Sequence, residues 1–105
     1  MKENLKAMLW VNNRSVELNA FVEEFLARTV LGATSSLKGT DEVRNLELYL
    51  ERGKVRVIVN ENALPLTPFP NDIIANTLIG LVSSLKEVNR IDNLKVQVKV
   101  LREKP

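Results

Sequence analysis

The sequence predicts a two-layer α+β domain in which two helices cover one face of a mainly antiparallel sheet. Two observations support this prediction: the chain contains the same segment twice, and each copy alternates between strand-like and helix-like hydrophobic periods. A chain of 105 residues, 45% hydrophobic and 27% charged, has the size and composition of one globular domain. We therefore expect residues 1–105 to form a single domain built from two tandem repeats.

The internal duplication becomes visible when the sequence is shifted by 48 positions. Residues 6–53 then align with residues 54–101 without a gap, and 14 of the 48 pairs are identical, where chance predicts about three. The segments GATSSLK and GLVSSLK, which begin at Gly32 and Gly80, contain five of these identities. Because a solenoid needs about three or more repeats, two copies are expected to form one pseudo-symmetric domain around a shared core.

Each repeat begins with a strand, a turn and a second, short strand. Residues 6–11 and 54–59 alternate apolar with other side chains, which is the period of a half-buried strand. The segments NNRS and NENA that follow suit tight turns. Pro65 lies in the second copy of the short strand. Because proline cannot donate to a β-ladder, this strand is predicted to lie at a sheet edge.

A helix follows in each repeat, with Asn19 and Thr67 as the predicted N-caps. The helical spacing predicts that the phenylalanine side of each helix faces the sheet. In the first helix this side comprises Phe21, Phe25, Leu26, Thr29, Gly32, Ala33 and Leu37, and in the second Phe69, Ile73, Ile74, Thr77, Gly80, Leu81 and Leu85. A last alternating strand closes each repeat, and a tight turn at Arg52 and Gly53 joins the repeats.

The predicted element order is ββαβ–ββαβ. Without the short second strands it becomes βαββαβ, which resembles the split-βαβ order of ferredoxin-like domains. This resemblance concerns element order alone and carries no activity with it.

The composition restricts the chemistry of the chain. The sequence has no cysteine and no histidine, which excludes disulfides and thiolate–metal sites and removes the commonest general base and zinc ligand. It also contains no glycine-rich phosphate loop, nucleophile elbow or metal-ligand run. We therefore expect no enzymatic activity, no cofactor and no metal. The net charge of +2 is too small to indicate a nucleic-acid partner by itself, and the lack of a long apolar run predicts a cytoplasmic protein without a membrane partner.

The side of each helix opposite the phenylalanines is also apolar. Two interpretations are open: the helices pack on each other, or this side is a partner surface. The candidate interface residues are Leu31, Leu78, Ile79 and Val82, and the expected partner is a second copy of the chain or another protein. Gly32 and Gly80 are expected to let a neighbouring element of the domain approach the helices closely.

The outward face of the sheet is the second candidate surface. Its candidate binding residues are Trp10, Tyr49, Arg56, Lys95 and Lys99. Function is expected where the two repeats differ, and they differ strongly at Trp10, at Tyr49 and along the basic final strand.

Three functions remain open at this point. The first is a non-enzymatic interaction or regulatory module that self-associates as a homodimer. The second is binding of single-stranded RNA or DNA through the sheet face, by stacking on aromatic side chains; no RNA-recognition motif is present, and Glu47 and Glu51 oppose phosphate charge. The third is a small-ligand sensor with its site between the repeats.

Overall fold

The computed structural model describes residues 3–37, 42–85 and 88–102. Over these residues the chain forms six strands and two helices, in the order β1 (Glu3–Val11), β2 (Arg14–Val16), α1 (Ala20–Ser35), β3 (Asn45–Glu51), β4 (Lys54–Val59), β5 (Asn62–Leu64), α2 (Pro68–Val82) and β6 (Asn93–Arg102).

The six strands form one antiparallel sheet in the order β2-β1-β6-β3-β4-β5. Helix α1 packs on β1 and β6, and α2 packs on β4, so that both helices contribute to one hydrophobic core on one face of the sheet. The α+β class, the antiparallel sheet and the helices on a single face are therefore confirmed.

The strand pairing repeats with the same 48-residue shift as the sequence. Leu9 of β1 lies opposite Val96 of β6, and their counterparts Val57 and Leu48 lie opposite each other on β4 and β3. At the centre of the sheet Leu48 lies opposite Val96 itself. These two residues are equivalent in the duplication, so an approximate twofold axis through this pair relates the two halves of the pairing pattern.

The strand order differs from that of a ferredoxin-like sheet. In that arrangement the strands that lead into the helices occupy the centre, whereas here the central pair is β6 and β3, which follow the helices. The tight turns explain the difference. Strand β4 pairs with β3 on one edge and with β5 on the other, each through a short hairpin, so neither edge is free to receive β1.

The tight turns predicted at the Asn-rich segments are present, and they have a left-handed backbone. Asn12 and Asn13 have φ of 52° and 69°, and Asn60 and Glu61 have φ of 49° and 73°. Two consecutive left-handed residues are the signature of a type I′ hairpin, and asparagine tolerates this region better than most residues.

The side chains of Asn12 and Asn60 also secure the loops that lead into the last strand of each repeat. The Asn12 Oδ1 accepts from the Asp92 and Asn93 amides at 2.7 and 3.1 Å. The Asn60 Oδ1 accepts from the Arg44 and Asn45 amides at 2.8 and 3.0 Å. These identical residues therefore have the same structural role in both halves.

The outer edges of β1 and β4 are closed by equivalent side chains from the helices. The Ala7 amide donates to Glu23 Oε2 at 3.0 Å, and the Val55 amide donates to Asn71 Oδ1 at 2.8 Å. Each bond satisfies a strand amide beyond the reach of β2 or β5 and ties the first turn of a helix to the sheet.

The inward residues of the strands are those that the alternation predicts. The buried strand side chains are Ala7, Leu9, Val11, Leu46, Leu48, Leu50, Val55, Val57, Val59, Leu94, Val96, Val98 and Val100. Strand β5 lies at the sheet edge and ends at Leu64, directly before Pro65. The predicted edge position of this segment is therefore confirmed.

The predicted sheet-facing side of the helices is wrong except at Leu26 and Ile74, which are buried as expected. The buried residues are Leu26, Ala27, Val30 and Thr34 in α1, and Ile74, Ala75, Leu78 and Val82 in α2. Phe21 and Phe69 are exposed instead. The physical reason is size: a helix that carries alanine at the centre of its contact can lie close to a valine- and leucine-covered sheet, whereas a row of phenylalanines would hold it away.

Candidate functional site

The helix layer presents large hydrophobic side chains to solvent. Phe21 and Phe69, which are equivalent in the two repeats, are 73% and 72% exposed, and Phe25, Ile73 and Ile79 are also exposed. We call these five residues the outer helix surface. Large apolar side chains that cluster on one exposed layer indicate an interaction site more often than isolated ones do.

The predicted interface residues divide between this surface and the core. Ile79 is 40% exposed and belongs to the outer helix surface, and Leu31 is half-buried. Leu78 and Val82 are only 2% and 0% exposed. They are core residues on the sheet-facing side of α2. Their prediction as interface residues is therefore wrong, because the sheet covers them.

The two helix glycines do not serve packing within the described part of the chain. A Cβ built on Gly32 or on Gly80 would meet no atom within 4 Å outside its own helix backbone. The expectation that another element of the domain approaches them closely is therefore wrong. Glycine costs about 1 kcal/mol against alanine in a helix interior, and the described structure offers no internal compensation for that cost.

The serines that follow the glycines bond back onto their own helices. The Ser35 and Ser36 hydroxyls donate to the Gly32 carbonyl at 2.9 and 3.3 Å, and Ser83 and Ser84 do the same to the Gly80 carbonyl at 3.2 and 3.0 Å. These hydroxyls are satisfied within the helix, so covering them would leave no donor without a partner.

An apolar groove of about 410 Å³ lies between the two helices. Its walls are Phe21, Val22 and Phe25 at the start of α1, Leu81 at the end of α2, and Ser84 and Leu85 just after that helix. The Phe21 and Phe25 rings stand 5.8 Å apart between centroids. The helices therefore meet the sheet side by side and leave an open apolar channel toward solvent at this end.

The outward face of the sheet carries an alternating row of aromatic and cationic side chains. Trp10, Lys95, Tyr49 and Arg56 lie opposite one another on the adjacent strands β1, β6, β3 and β4. The Lys95 Nζ lies 5.0 Å from the Trp10 ring centroid and 5.4 Å from that of Tyr49. The Arg56 guanidinium carbon lies 4.8 Å from the Tyr49 ring centroid. These are cation–π distances, and we call the four residues the aromatic–cation row.

A shallow cavity of about 300 Å³ adjoins this row. It is lined by Asn13, Tyr49, Leu50, Glu51, Lys54, Arg56, Asn93, Leu94 and Lys95. The lining residues come from both repeats, because β3 belongs to the first and β4 and β6 belong to the second. Three cations and one carboxylate border the cavity, so its electrostatic potential is positive.

Hydrogen bonding perturbs the titration of Tyr49. Its hydroxyl donates to Glu47 Oε2 at 2.6 Å. This bond, together with desolvation and the negative charge of Glu47, raises the pKa of Tyr49 above its ordinary value of 10.0, and Arg56 opposes the rise. Tyr49 is therefore a neutral hydrogen-bond donor at physiological pH.

The structure brings four of the five predicted sheet-face residues together and leaves one apart. Lys99 lies opposite Lys6 and Asn45, two rows along β6 from the aromatic–cation row. It is exposed and does not line the cavity.

The exposed phenylalanines were predicted to face the sheet. The sequence nevertheless contained a signal for which side of each helix faces solvent. The side predicted to face the sheet carries Thr29 and Gly32, with the same residues, Thr77 and Gly80, at the equivalent positions of the second repeat. The opposite side is apolar in both repeats, apart from Thr34 and the first-turn residues Glu23 and Asn71. Counting polar positions common to both copies would have pointed to the correct sheet-facing side.

In the part of the chain that the structure describes, neither helix is long and apolar enough to cross a membrane, and no cluster of carboxylates could hold a metal ion. Comparison of the sequence and the structure with family models, with characterised proteins and with solved structures gives no match.

Proposed function

We propose that this chain is a non-enzymatic interaction module that self-associates, and that a second copy of the chain covers the outer helix surface. The observation that carries the proposal is the exposure of Phe21 and Phe69, each above 70%, at equivalent positions of a duplicated helix. Full burial of one such side chain is worth about 1.5–3 kcal/mol, and in the single chain most of this free energy is not realised.

Charge favours the helix layer over the sheet face as the self-association surface. The exposed charged residues on the helices are Glu24 and Arg28, which form an ion pair at 3.5 Å, and Asp72. The open sheet face carries the cations Lys6, Lys54, Arg56, Lys95 and Lys99 against the carboxylates Glu47 and Glu51. Two copies joined by their sheet faces would therefore bring more like charges together than two copies joined by their helix layers, where the charged residues are Arg28 and the carboxylates Glu23, Glu24 and Asp72.

The helix layer is large enough for a stable interface. Helices of 16 and 15 residues are about 24 Å long at 1.5 Å per residue, and each is about 10 Å wide. Two helices side by side present a flat area of about 500 Å², and their corrugated accessible surface is larger. A standard interface buries about 800 Å² of accessible surface per partner, so the helix layer is of the same order as such an interface.

Symmetry and the exposed helix backbone at the two glycines also favour a second copy of the chain as the partner. A twofold dimer joins the same patch on both subunits, and the outer helix surface carries phenylalanines of both repeats. Gly32 and Gly80 leave open space above the helices, and a partner helix can approach the backbone most closely where no Cβ stands. Their cost in helix stability is then offset by the interface.

The test is the solution mass of the wild-type chain and of the double variant Phe21→Glu/Phe69→Glu, measured by sedimentation equilibrium at micromolar concentrations. We expect a dimer for the wild type and a monomer for the double variant. Ile79→Glu should weaken the dimer in the same direction.

Met8→Glu is the matched control, because Met8 is also an exposed large hydrophobic residue but lies on the sheet face. This variant should remain dimeric, and circular dichroism should show that all variants are folded. A monomeric wild type, or a dimer that the helix variants leave intact and Met8→Glu dissociates, would rule out the proposed surface.

A further inference from the structure

We propose that the cavity beside Tyr49 binds a small phosphorylated molecule, no larger than a mononucleotide. This site is separate from the self-association surface, because it lies on the outward face of the sheet and the helices lie on the other. Its volume of about 300 Å³ is at the lower end of the range for small-molecule pockets. A ligand of this size fits, whereas an oligonucleotide would have to extend far beyond it.

The charges around the cavity favour an anion. Lys54, Arg56 and Lys95 border it against a single carboxylate, that of Glu51. The ion pairs found among the described residues lie elsewhere, between Arg28 and Glu24 and between Arg90 and Asp92. The three cations therefore have no carboxylate within 4.0 Å in the described part of the chain. Glu51, which lies opposite Lys54, leaves a net positive charge around the cavity, and a phosphate would neutralise it.

Two of these cations are held in place by aromatic rings. Arg56 lies over the Tyr49 ring at 4.8 Å, and Lys95 lies between the Tyr49 and Trp10 rings at 5.4 and 5.0 Å. Cations fixed in this way lose less side-chain freedom when a ligand binds. A guanidinium also presents two parallel donors that match two phosphate oxygens, so Arg56 is the principal expected phosphate contact.

Comparison of the two repeats shows that folding does not require this cluster. The positions equivalent to Tyr49, Arg56 and Lys95 in the other repeat are Gln97, Met8 and Glu47. The equivalent surface of the sheet thus has no aromatic residue and has a carboxylate in place of a lysine, although its strands pair in the same register. A cluster present in only one of two structurally equivalent places is better explained by binding than by stability.

The test uses calorimetric titration of the purified chain at low salt with pyrophosphate and with adenosine monophosphate. The fluorescence of Trp10, the single tryptophan, provides a second readout because Lys95 contacts its ring. We expect saturable binding of at least one of these probes. Arg56→Gln should weaken it at least tenfold.

The duplication provides a matched control pair, because Lys54 and Lys6 are equivalent residues on the same sheet face. Lys54→Gln and Lys6→Gln remove the same charge from equivalent strand positions, but only Lys54 lines the cavity. We expect Lys54→Gln to weaken binding several-fold and Lys6→Gln to change it less than twofold.

Three results would overturn this proposal. The first is no saturable binding of either phosphate probe. The second is equal weakening by Lys54→Gln and Lys6→Gln, which would indicate diffuse attraction to the whole face. The third is tight binding of oligouridylate that Trp10→Ala and Lys99→Gln weaken as much as Arg56→Gln does, which would indicate single-stranded nucleic acid along the sheet. The same titration in Phe21→Glu/Phe69→Glu keeps this result independent of the oligomeric state.

Discussion

At the scale of single residues, Tyr49 connects the polar features of the open sheet face. Its ring contacts Arg56 and Lys95, and its hydroxyl donates to Glu47. Deprotonation would remove the hydrogen bond and place a second negative charge beside the Glu47 carboxylate. The raised pKa of Tyr49 is the direct result.

Titration of this residue gives a clean measurement, because Tyr49 is the single tyrosine of the chain. Since its pKa is raised in the folded state, the stabilising bond is fully present below the ordinary pKa of 10.0 and is lost as the pH rises through the folded-state pKa. We expect ultraviolet absorbance titration to give a midpoint above 10.0 in the wild type. Glu47→Gln should lower that midpoint, because the negative charge is removed.

Glu51→Gln is the control for this titration. Glu51 lies on the same strand and face as Tyr49 but is not among the groups that shift its pKa. Its substitution should leave the midpoint nearly unchanged. Equal midpoints in the wild type and Glu47→Gln would show that Glu47 does not control the titration.

At the scale of elements, the hairpin turns place each short strand and also anchor a distant loop. Asn12 combines a left-handed backbone at φ 52° with three side-chain hydrogen bonds to residues 90–93. One residue thus joins the first turn of the domain to the start of its last strand. Asn60 repeats this arrangement in the second half of the chain.

Substitutions at Asn12 separate the contribution of its left-handed backbone to stability from that of its side-chain hydrogen bonds. Asn12→Gly keeps the left-handed backbone without strain and loses the side-chain bonds, so we expect a loss of about 1–2 kcal/mol in the free energy of unfolding. Asn12→Ala loses the bonds and also incurs left-handed strain, so the loss should be about 1 kcal/mol greater. Urea unfolding followed by circular dichroism measures both values.

Asn13→Gly is the control within the same turn. It changes a residue with φ of 69° whose substitution should alter the stability by less than about 1 kcal/mol. If Asn12→Gly proved as harmless as Asn13→Gly, the side-chain bonds of Asn12 would contribute nothing measurable.

At the scale of the whole molecule, the two repeats share one core rather than forming two. Leu48 and Val96, equivalent in the duplication, meet at the centre of the sheet and are fully buried. The buried faces of both helices join the same cluster. Neither repeat could bury its apolar side without the other, so the chain should unfold in one cooperative step.

Leu48→Ala tests whether the two repeats share one hydrophobic core. Truncation of a fully buried leucine costs about 2–5 kcal/mol, and a shared core predicts a single lowered transition seen alike by circular dichroism and by Trp10 fluorescence. Leu101→Ala, at an exposed position near the end of β6, should cost less than about 1 kcal/mol. Two separate transitions in Leu48→Ala would indicate that the repeats unfold independently.

The sequence by itself determined the features that depend on neighbouring residues. Strand faces follow from a period of two, tight turns follow from the Asn-rich segments NNRS and NENA, and the 48-residue duplication makes both patterns visible twice. These features agree with the structure because local backbone geometry and side-chain alternation leave few alternatives over six to ten residues.

The tertiary structure alone decided which strands lie at the centre of the sheet and which polar side chains meet on its open face. For the helices the two sources combine: shared positions such as Thr29 and Gly32 favour one exposed side in the sequence, and the packing of Ala27 and Ala75 on the sheet fixes the orientation. The central pairing of β3 with β6 and the meeting of Trp10 with Lys95 join segments far apart in the chain. Such contacts depend on which packed arrangement has the lowest free energy, and no local pattern contains that information.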